Sequence, residues 1–197
     1  MISFKFKNNF TFKISDTSGG FTIPEMLVAL MVFSLVAGGG ANILFTGISA
    51  QRYSLASQEL LDQSSFMAEY ISRALRQAQK DITPICLSAG GLNYEITRSG
   101  RGVKFVNKNG QCQEFYSPAA GTRIWEKIGS DPEYPISSDN LTVNTLLFAA
   151  MGQSQSDDQQ PRVTVFIDME GEGGKPESRP RVHLQTSVSQ RAFDVVR

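Results

Sequence analysis

The chain has little of the chemistry on which most enzymes and metal sites depend. Its 197 residues include two cysteines, Cys86 and Cys112, and one histidine, His183. Two thiols and one imidazole are too few for a structural zinc site. The alternation of His183 with Val182 and Leu184 predicts a solvent-facing side chain, whereas a catalytic triad needs a histidine in a pocket beside a nucleophile. Gly-x-Ser-x-Gly and P-loop motifs are absent from the sequence. We therefore predict no catalytic residue, no metal and no cofactor.

An excess of charge is also missing. Lysine and arginine total 19, as do aspartate and glutamate, so the composition does not indicate a general nucleic-acid or acidic-substrate binder. The charges are unevenly placed, because residues 1–20 contain three lysines and one aspartate. Their net charge is +2, and that of the other 177 residues is −2.

The most informative absence is that of any ionisable side chain from Met26 to Gln51, a run of 26 residues. A helix of that length spans about 39 Å, more than the ~30 Å hydrocarbon core of a bilayer. A secretory signal peptide has its small residues after the apolar segment, whereas Ser18, Gly19 and Gly20 precede this one. The preceding lysines place the N-terminus in the cytoplasm and the bulk of the chain outside. The run excludes a plain cytosolic protein.

The junction between Gly20 and Phe21 has the features of a cleavage point. After cleavage there, Pro24 would be the fourth residue of a helix, where its missing N–H costs little. Thr22 and Glu25 match a capping box, in which the glutamate accepts a hydrogen bond from the N–H of the cap residue. Glu25 could instead pair with the newly formed α-amino group, on its own chain or on a neighbour's. Both roles remain open for Glu25.

The segment from Gly20 to Leu30 resembles the processing signature of type IV prepilins and pseudopilins. The resemblance implies cleavage after Gly20 by a membrane prepilin peptidase and methylation of the Phe21 amine. It also implies that Glu25 acts in assembly, through a helix that first anchors in the cytoplasmic membrane and later packs into a filament core. Pro24 departs from the commonest form of the signature, which has an aliphatic residue there.

Three consecutive glycines, Gly38, Gly39 and Gly40, interrupt the apolar run. One interpretation is close packing against another membrane helix, which small residues favour. The other is a stretch that loosens, because each glycine costs a helix about 1 kcal/mol relative to alanine. Many members of the resembled family carry a proline where the helix melts, and these glycines are assigned that role here.

The rest of the chain predicts an α+β fold of the pilin type. Apolar residues recur at helical spacing from Ala56 to Ala78, so the long helix becomes amphipathic. Alternating segments, with Asn109-Gly110 as a hairpin turn, predict strands. We expect a leader at 1–20 that is removed and a helix at 21–82, of which 21–51 is transmembrane and 52–82 amphipathic. The C-terminal half of that helix is expected to pack against an antiparallel β-sheet head at 83–197.

The two cysteines lie in the part placed outside the cell. In an oxidising compartment a disulfide between Cys86 and Cys112 is the default, and two buried free thiols are the alternative.

A basic cluster near a hairpin could contact nucleic-acid phosphates, and four loop acids could offer ligands to calcium. We prefer to interpret both groups as solvated surface charges. The basic cluster comprises Arg98, Arg101, Lys104 and Lys108, and the loop acids are Asp157, Asp158, Glu170 and Glu172.

These observations predict a structural subunit of a type IV pilus or related filament, more specifically a minor pilin, and not an enzyme. Its partners would be other pilin subunits, the prepilin peptidase, the cytoplasmic membrane and the assembly platform, with no small-molecule substrate. It would be a single-pass inner-membrane protein before assembly and part of a surface filament afterwards. The alternatives are a pseudopilin of a type II secretion or DNA-uptake machine, a membrane-tethered surface enzyme, and an unprocessed membrane anchor.

Overall fold

The computed structural model describes residues 20–119, 121–153, 159–171 and 179–191. The chain divides into two units, Met1–Ile48 and Ser49–Arg197, and helix α1, Ile23–Arg76, contributes residues to both. The predicted leader lies outside the described residues, apart from Gly20.

In the first unit the described chain is almost entirely helix. The Met26 N–H donates to the Thr22 carbonyl at 3.1 Å, so the hydrogen-bonded ladder starts at Thr22. The hydroxyls of Ser34 and Thr46 donate to the carbonyls of Leu30 and Asn42 at 2.8 and 2.9 Å. This back-bonding satisfies the polar groups within the helix itself, so they need no partner from the surroundings of the apolar run.

Helix α1 ends at Arg76, earlier than the predicted boundary at residue 82. Beyond Arg76 the chain turns into β-type pairing, because Gln79 forms an isolated antiparallel bridge with Val106, and Asp81 forms one with Leu92. The helix is shorter than predicted because these tertiary hydrogen bonds replace the helical ones after Arg76.

The described residues of the second unit form two antiparallel sheets, where the sequence predicted one. The first sheet has the order β1-β2-β3-β4-β5, and the second has the order β6-β7-β8. The strands are β1 Glu95–Thr97, β2 Gly102–Val106, β3 Cys112–Tyr116, β4 Trp125–Ile128, β5 Tyr134–Pro135, β6 Leu141–Met151, β7 Arg162–Gly171 and β8 Arg181–Ser189. The Asn109-Gly110 turn joins β2 and β3 as predicted.

One apolar core joins the C-terminal part of α1 to both sheets. Leu60, Met67, Ile71 and Leu75 are buried on one face of the helix. They belong to the same cluster as side chains of the first sheet, such as Phe105, and of the second, such as Ile167 and Val188. The predicted α+β arrangement of a long apolar helix with antiparallel strands is therefore present.

The last turn of α1 is completed by tertiary contacts. The carbonyls at a helix C-terminus lack partners within the helix. Here the Tyr94 hydroxyl donates to the Leu75 carbonyl at 2.8 Å, and the Arg191 N–H donates to the Arg76 carbonyl at 2.9 Å. Segments that approach from both sheets thus satisfy the end of the helix.

Candidate assembly site

The predicted processing site lies at an exposed end of the described chain. Gly20 and Glu25 are exposed, and Phe21 is 75% exposed. Glu25 occupies the first turn of α1, where a carboxylate interacts favourably with the positive end of the helix dipole. The pairing of Glu25 with the Phe21 amine stays a prediction, because that amine is still a peptide nitrogen in the uncut chain.

The apolar run forms the surface of the helix in this unit. Every residue from 21 to 48 is exposed, including large side chains such as Ile23, Phe33 and Ile43. Helix α1 is long and apolar enough to cross a membrane. An apolar surface of this extent needs a nonaqueous environment, either lipid or other apolar helices.

The three glycines lie within continuous helix. Residues 38–40 keep helical structure, and a Cβ atom built on any of them meets nothing within 4 Å. Within the single chain, therefore, no packing contact requires glycine at these positions. A need for glycine would have to come from a neighbouring helix or from the dynamics of the segment, and both predicted roles stay open.

Residues 16–41 match the prokaryotic N-terminal methylation motif. This motif is the type IV pilin and pseudopilin signature, and it supports a type IV pilin-like or pseudopilin protein. The match contains the Gly20–Phe21 junction, Glu25 and all three glycines. No curated protein and no solved structure matches the chain.

The head that follows the methylation motif contains the disulfide expected from the sequence. Cys86 and Cys112 are joined, with their Cα atoms 5.3 Å apart. The bond links the loop after α1 to the first residue of β3. A buried carboxylate that the sequence analysis missed holds the same loop, because Asp81 accepts hydrogen bonds from the N–H groups of Cys86 and Leu87 at 2.9 and 2.8 Å.

The Asp81 carboxyl group is charged in its loop. Burial favours its neutral form, but hydrogen bonds from the backbone N–H groups of Leu87, Cys86 and Ile85 outweigh burial and lower its pKa below the usual value. The sequence around Asp81 does not indicate that its carboxylate accepts hydrogen bonds from three backbone N–H groups. An aspartate followed by several residues of irregular loop is common, and only the closed loop brings the three N–H groups together.

A second buried carboxylate connects the helix to the first sheet. Glu126, on β4, is fully buried. It accepts hydrogen bonds from the Tyr70 hydroxyl of α1 at 2.9 and 3.1 Å, from the Gln113 amide of β3 and from the Tyr134 hydroxyl of β5. Burial and the hydrogen bond to Glu126 raise the pKa of Tyr70 and of Tyr134. The four side chains thus form one network across four elements.

Two members of the predicted basic cluster, Arg98 and Lys104, lie near acidic residues. Arg98 lies 3.2 Å from the Glu114 carboxylate and stacks 3.6 Å above the centre of the Tyr116 ring. Lys104 lies opposite Glu114 of β3 and Glu95 of β1 in the strand register. The reading of the whole cluster as a solvated face stays a prediction.

His183 lies on an exposed strand position, as predicted. Its Nδ1 is 3.4 Å from an oxygen of the buried Asp168 carboxylate, and its ring stacks on Phe166. Asp168 is held mainly by Arg181, whose Nε donates to it at 2.8 Å. This hydrogen bond lowers the pKa of Asp168 against the opposing effect of burial. Asp168 is therefore paired with Arg181, and His183 lies beside this pair on the exposed side of the strand.

The proposed calcium ligands are only partly described. Glu170 lies in strand β7, not in a loop, and is 3.6 Å from the Arg179 guanidinium. Asp157, Asp158 and Glu172 lie outside the described residues. Within the described parts of the chain, no three metal-ligating side chains come together.

Proposed function

We propose that this chain is a structural, minor-pilin-like subunit of a type IV pilus or related filament. The observation that carries the proposal is an exposed, uncharged helix surface that begins within the methylation motif and continues beyond it. Such a surface is stable in a membrane before assembly. It is equally stable in a bundle of like helices afterwards, because helix packing replaces the lipid contacts.

In this proposal the prepilin peptidase cuts after Gly20 and the Phe21 amine is then methylated. The free amine is mostly protonated at neutral pH, since a typical α-amino pKa is about 7.7–8. In the apolar core of the filament, Glu25 of one subunit neutralises the Phe21 amine of an adjacent subunit. Each charge would be strongly unfavourable alone, so the pair favours one axial register between neighbouring helices.

The disulfide and the three buried carboxylates, Asp81, Glu126 and Asp168, support a structural role for the head. The head would face the outside of the membrane and then the surface of the filament, where an oxidising environment maintains the disulfide. A pseudopilin of a secretion or DNA-uptake machine would carry the same N-terminal features. The length of the assembled filament distinguishes these two kinds of subunit.

The decisive experiment is an intact-mass measurement of the protein extracted from the membranes of its native host. The expected mass is that of a chain starting at Phe21, with one methyl group and two hydrogens fewer for the disulfide. A parallel extraction from sheared surface filaments is expected to contain the same species. A mass that includes residues 1–20 in the filament fraction, or the absence of the chain from that fraction, would contradict the proposal.

A further inference from the structure

A groove lies between the last turns of α1 and the turn that joins β2 to β3. Its volume is about 270 Å³, and its apolar floor includes Tyr70 and Ile128. Arg73 contributes to the helix side, and Asn107 and Lys108 contribute to the turn side. This volume holds a few residues of an extended peptide, and it is below the usual range of about 300–1,000 Å³ for small-molecule sites.

The groove offers hydrogen-bond donors and positive charge. None of the described residues that line it is acidic, whereas Arg73 and Lys108 are cationic. The Asn107 side-chain oxygen is already used, because it accepts the N–H groups of Asn109 and Gln111 at 2.9 and 3.0 Å. The remaining polar group of Asn107 is its NH₂ donor, so the available chemistry matches a carboxylate.

Two acidic side chains, Glu69 and Glu126, lie near the groove, and both already have hydrogen-bond or ion-pair partners. Glu69 pairs with Arg73 at 3.1 Å on the helix surface, with both side chains more than half exposed. An exposed pair at i,i+4 contributes only about 0.3–0.5 kcal/mol, so Arg73 can exchange Glu69 for a better-placed carboxylate. Glu126 lies behind the floor, where Tyr70, Gln113 and Tyr134 satisfy it.

The walls of the groove are already fixed in position. The turn is closed by hydrogen bonds from the Asn107 N–H to the Gln111 carbonyl at 2.8 Å and from the Gly110 N–H to the Asn107 carbonyl at 2.9 Å. The Glu126 network fixes Tyr70 and Gln113, which also line the groove. A preformed site loses less conformational entropy when a ligand binds.

We propose that this groove binds an acidic peptide segment presented by a neighbouring filament subunit. The charge complementarity favours a carboxylate-bearing partner, and the narrow volume and apolar floor favour a peptide. Nucleic acid fits less well, because two cations around one groove do not form the continuous track that binds successive phosphates. The identity of the partner as a subunit rests on the proposed function, whereas the acidic-peptide specificity does not.

The test uses the full chain in detergent and a fluorescently labelled peptide, acetyl-Gly-Asp-Leu-Glu-Gly-amide, with binding followed by anisotropy. The matched probe replaces Asp and Glu by Asn and Gln, and an oligothymidine strand is the third probe. We expect the acidic peptide to bind at least about ten-fold more tightly than the neutral one, because charge-assisted hydrogen bonds exceed neutral ones. The double variant R73Q/K108Q should remove this preference.

The control variant is Arg162→Gln, which removes an exposed arginine from the start of β7, in the other sheet. It should leave the preference for the acidic peptide unchanged. Equal binding of the two peptides, no binding of either, or tighter binding of oligothymidine overturns the proposal. The assay works equally with cleaved and uncleaved chain, so its failure is distinct from failure of the intact-mass test.

Discussion

At the scale of single residues, Glu126 has the most unusual environment in the head. A glutamate is rarely buried unless hydrogen bonds replace its lost hydration. Here Tyr70, Gln113 and Tyr134 supply three donors from a helix and two other strands. The network favours one position of α1 relative to the first sheet, because any shift would break a buried hydrogen bond.

We predict that Glu126→Ala lowers the free energy of unfolding of the head by on the order of 3 kcal/mol. The substitution leaves buried donors without acceptors, and each such group costs about 1–3 kcal/mol. Urea unfolding of the detergent-solubilised chain, followed by Trp125 fluorescence, measures the change. Glu133→Ala is the matched control, because Glu133 also accepts a tyrosine hydroxyl, that of Tyr116, but is exposed. A loss in Glu126→Ala no larger than in this control would contradict the prediction.

Four of the five tyrosines have a raised pKa: Tyr70, Tyr94, Tyr116 and Tyr134. Burial is the main cause in each, and for Tyr116, with the hydrogen bond to Glu133, it gives a pKa of about 12. Because these values exceed about 10 for free tyrosine, the neutral phenols stabilise the fold fully below pH 10. That stability is lost as the pH rises through the folded-state values.

We therefore predict that the phenolate absorbance of these four tyrosines appears only above pH 10, together with the loss of structure. Ultraviolet titration with circular dichroism recorded in parallel tests this. The same titration in urea provides the unfolded reference, in which all five tyrosines should titrate near pH 10. Phenolate formation by all four near pH 10 in a chain that remains folded would show that the prediction is wrong.

At the scale of elements, the sequence predicts those helices and strands whose apolar residues recur with a regular spacing. Helix α1 and the strands around Phe105, Phe115, Val165 and Leu184 follow from their alternation or helical spacing. Strand β4 was missed because its four residues, Trp125–Ile128, contain a glutamate and a lysine in the middle. The burial of that glutamate depends on donors up to 56 residues away in sequence, and local pattern carries no such information.

The site residues divide in the same way. Gly20, Phe21 and Glu25 could be predicted as site residues because their spacing is local, within a few residues of the predicted cleavage junction. Asp81 and the groove beside Arg73 were not, since they depend on the closed loop and on the approach of the β2–β3 turn to the helix. The division of the strands into two sheets was missed because alternation defines strands but not their partners.

We predict that alanine at all of Gly38, Gly39 and Gly40 stiffens α1, because each replacement favours helix by about 1 kcal/mol. The open space around the three positions admits the methyl groups within one chain. Hydrogen exchange of the detergent-solubilised protein should slow across this segment, and incorporation into filaments should fall. Gly47→Ala, at another open helical position, is the control.

The two interpretations of the glycines give different results in that experiment. If the glycines serve only close packing, hydrogen exchange across this segment is already slow in the unsubstituted monomer. The alanine substitutions then reduce incorporation into filaments without slowing the exchange further. If exchange in the unsubstituted chain is no faster at these glycines than at Gly47, the loosening role is excluded.

The disulfide should contribute about 3 kcal/mol to the stability of the head, because it closes a loop between cysteines 26 residues apart. We predict that replacing Cys86 and Cys112 by serine lowers the free energy of unfolding by about this amount, as measured by urea denaturation. Asp81→Ala acts on the same loop. A double-mutant cycle should therefore show coupling between the two changes, and strict additivity would contradict a shared role.

At the scale of the whole molecule, the two units differ in where their polar groups are satisfied. In the head, Asp81, Glu126 and Asp168 are buried and each accepts hydrogen bonds from its own chain. In the first unit, Glu25 is the only acidic residue of the described part, and it immediately precedes the uncharged run. The buried carboxylates of the head are thus satisfied by its own residues, whereas the exposed Glu25 is the carboxylate for which we propose a partner on a neighbouring subunit.

We predict that Glu25→Ala blocks incorporation into filaments by at least about ten-fold while removal of residues 1–20 continues. The physical reason is that the Phe21 amine of the neighbouring subunit would remain charged and unpaired in an apolar core. The measurement compares the cleaved chain in the membrane and in sheared filaments, by intact mass and by quantitative immunoblotting.

Two variants separate the charge of Glu25 from its other possible role. Glu25→Gln keeps a side chain that can cap the helix N-terminus but removes the negative charge, so it should fail as Glu25→Ala does. Asp62→Ala removes an exposed acid elsewhere on the same helix and should assemble normally. Normal assembly of Glu25→Gln would assign Glu25 to helix capping, because a neutral amide cannot neutralise an amine.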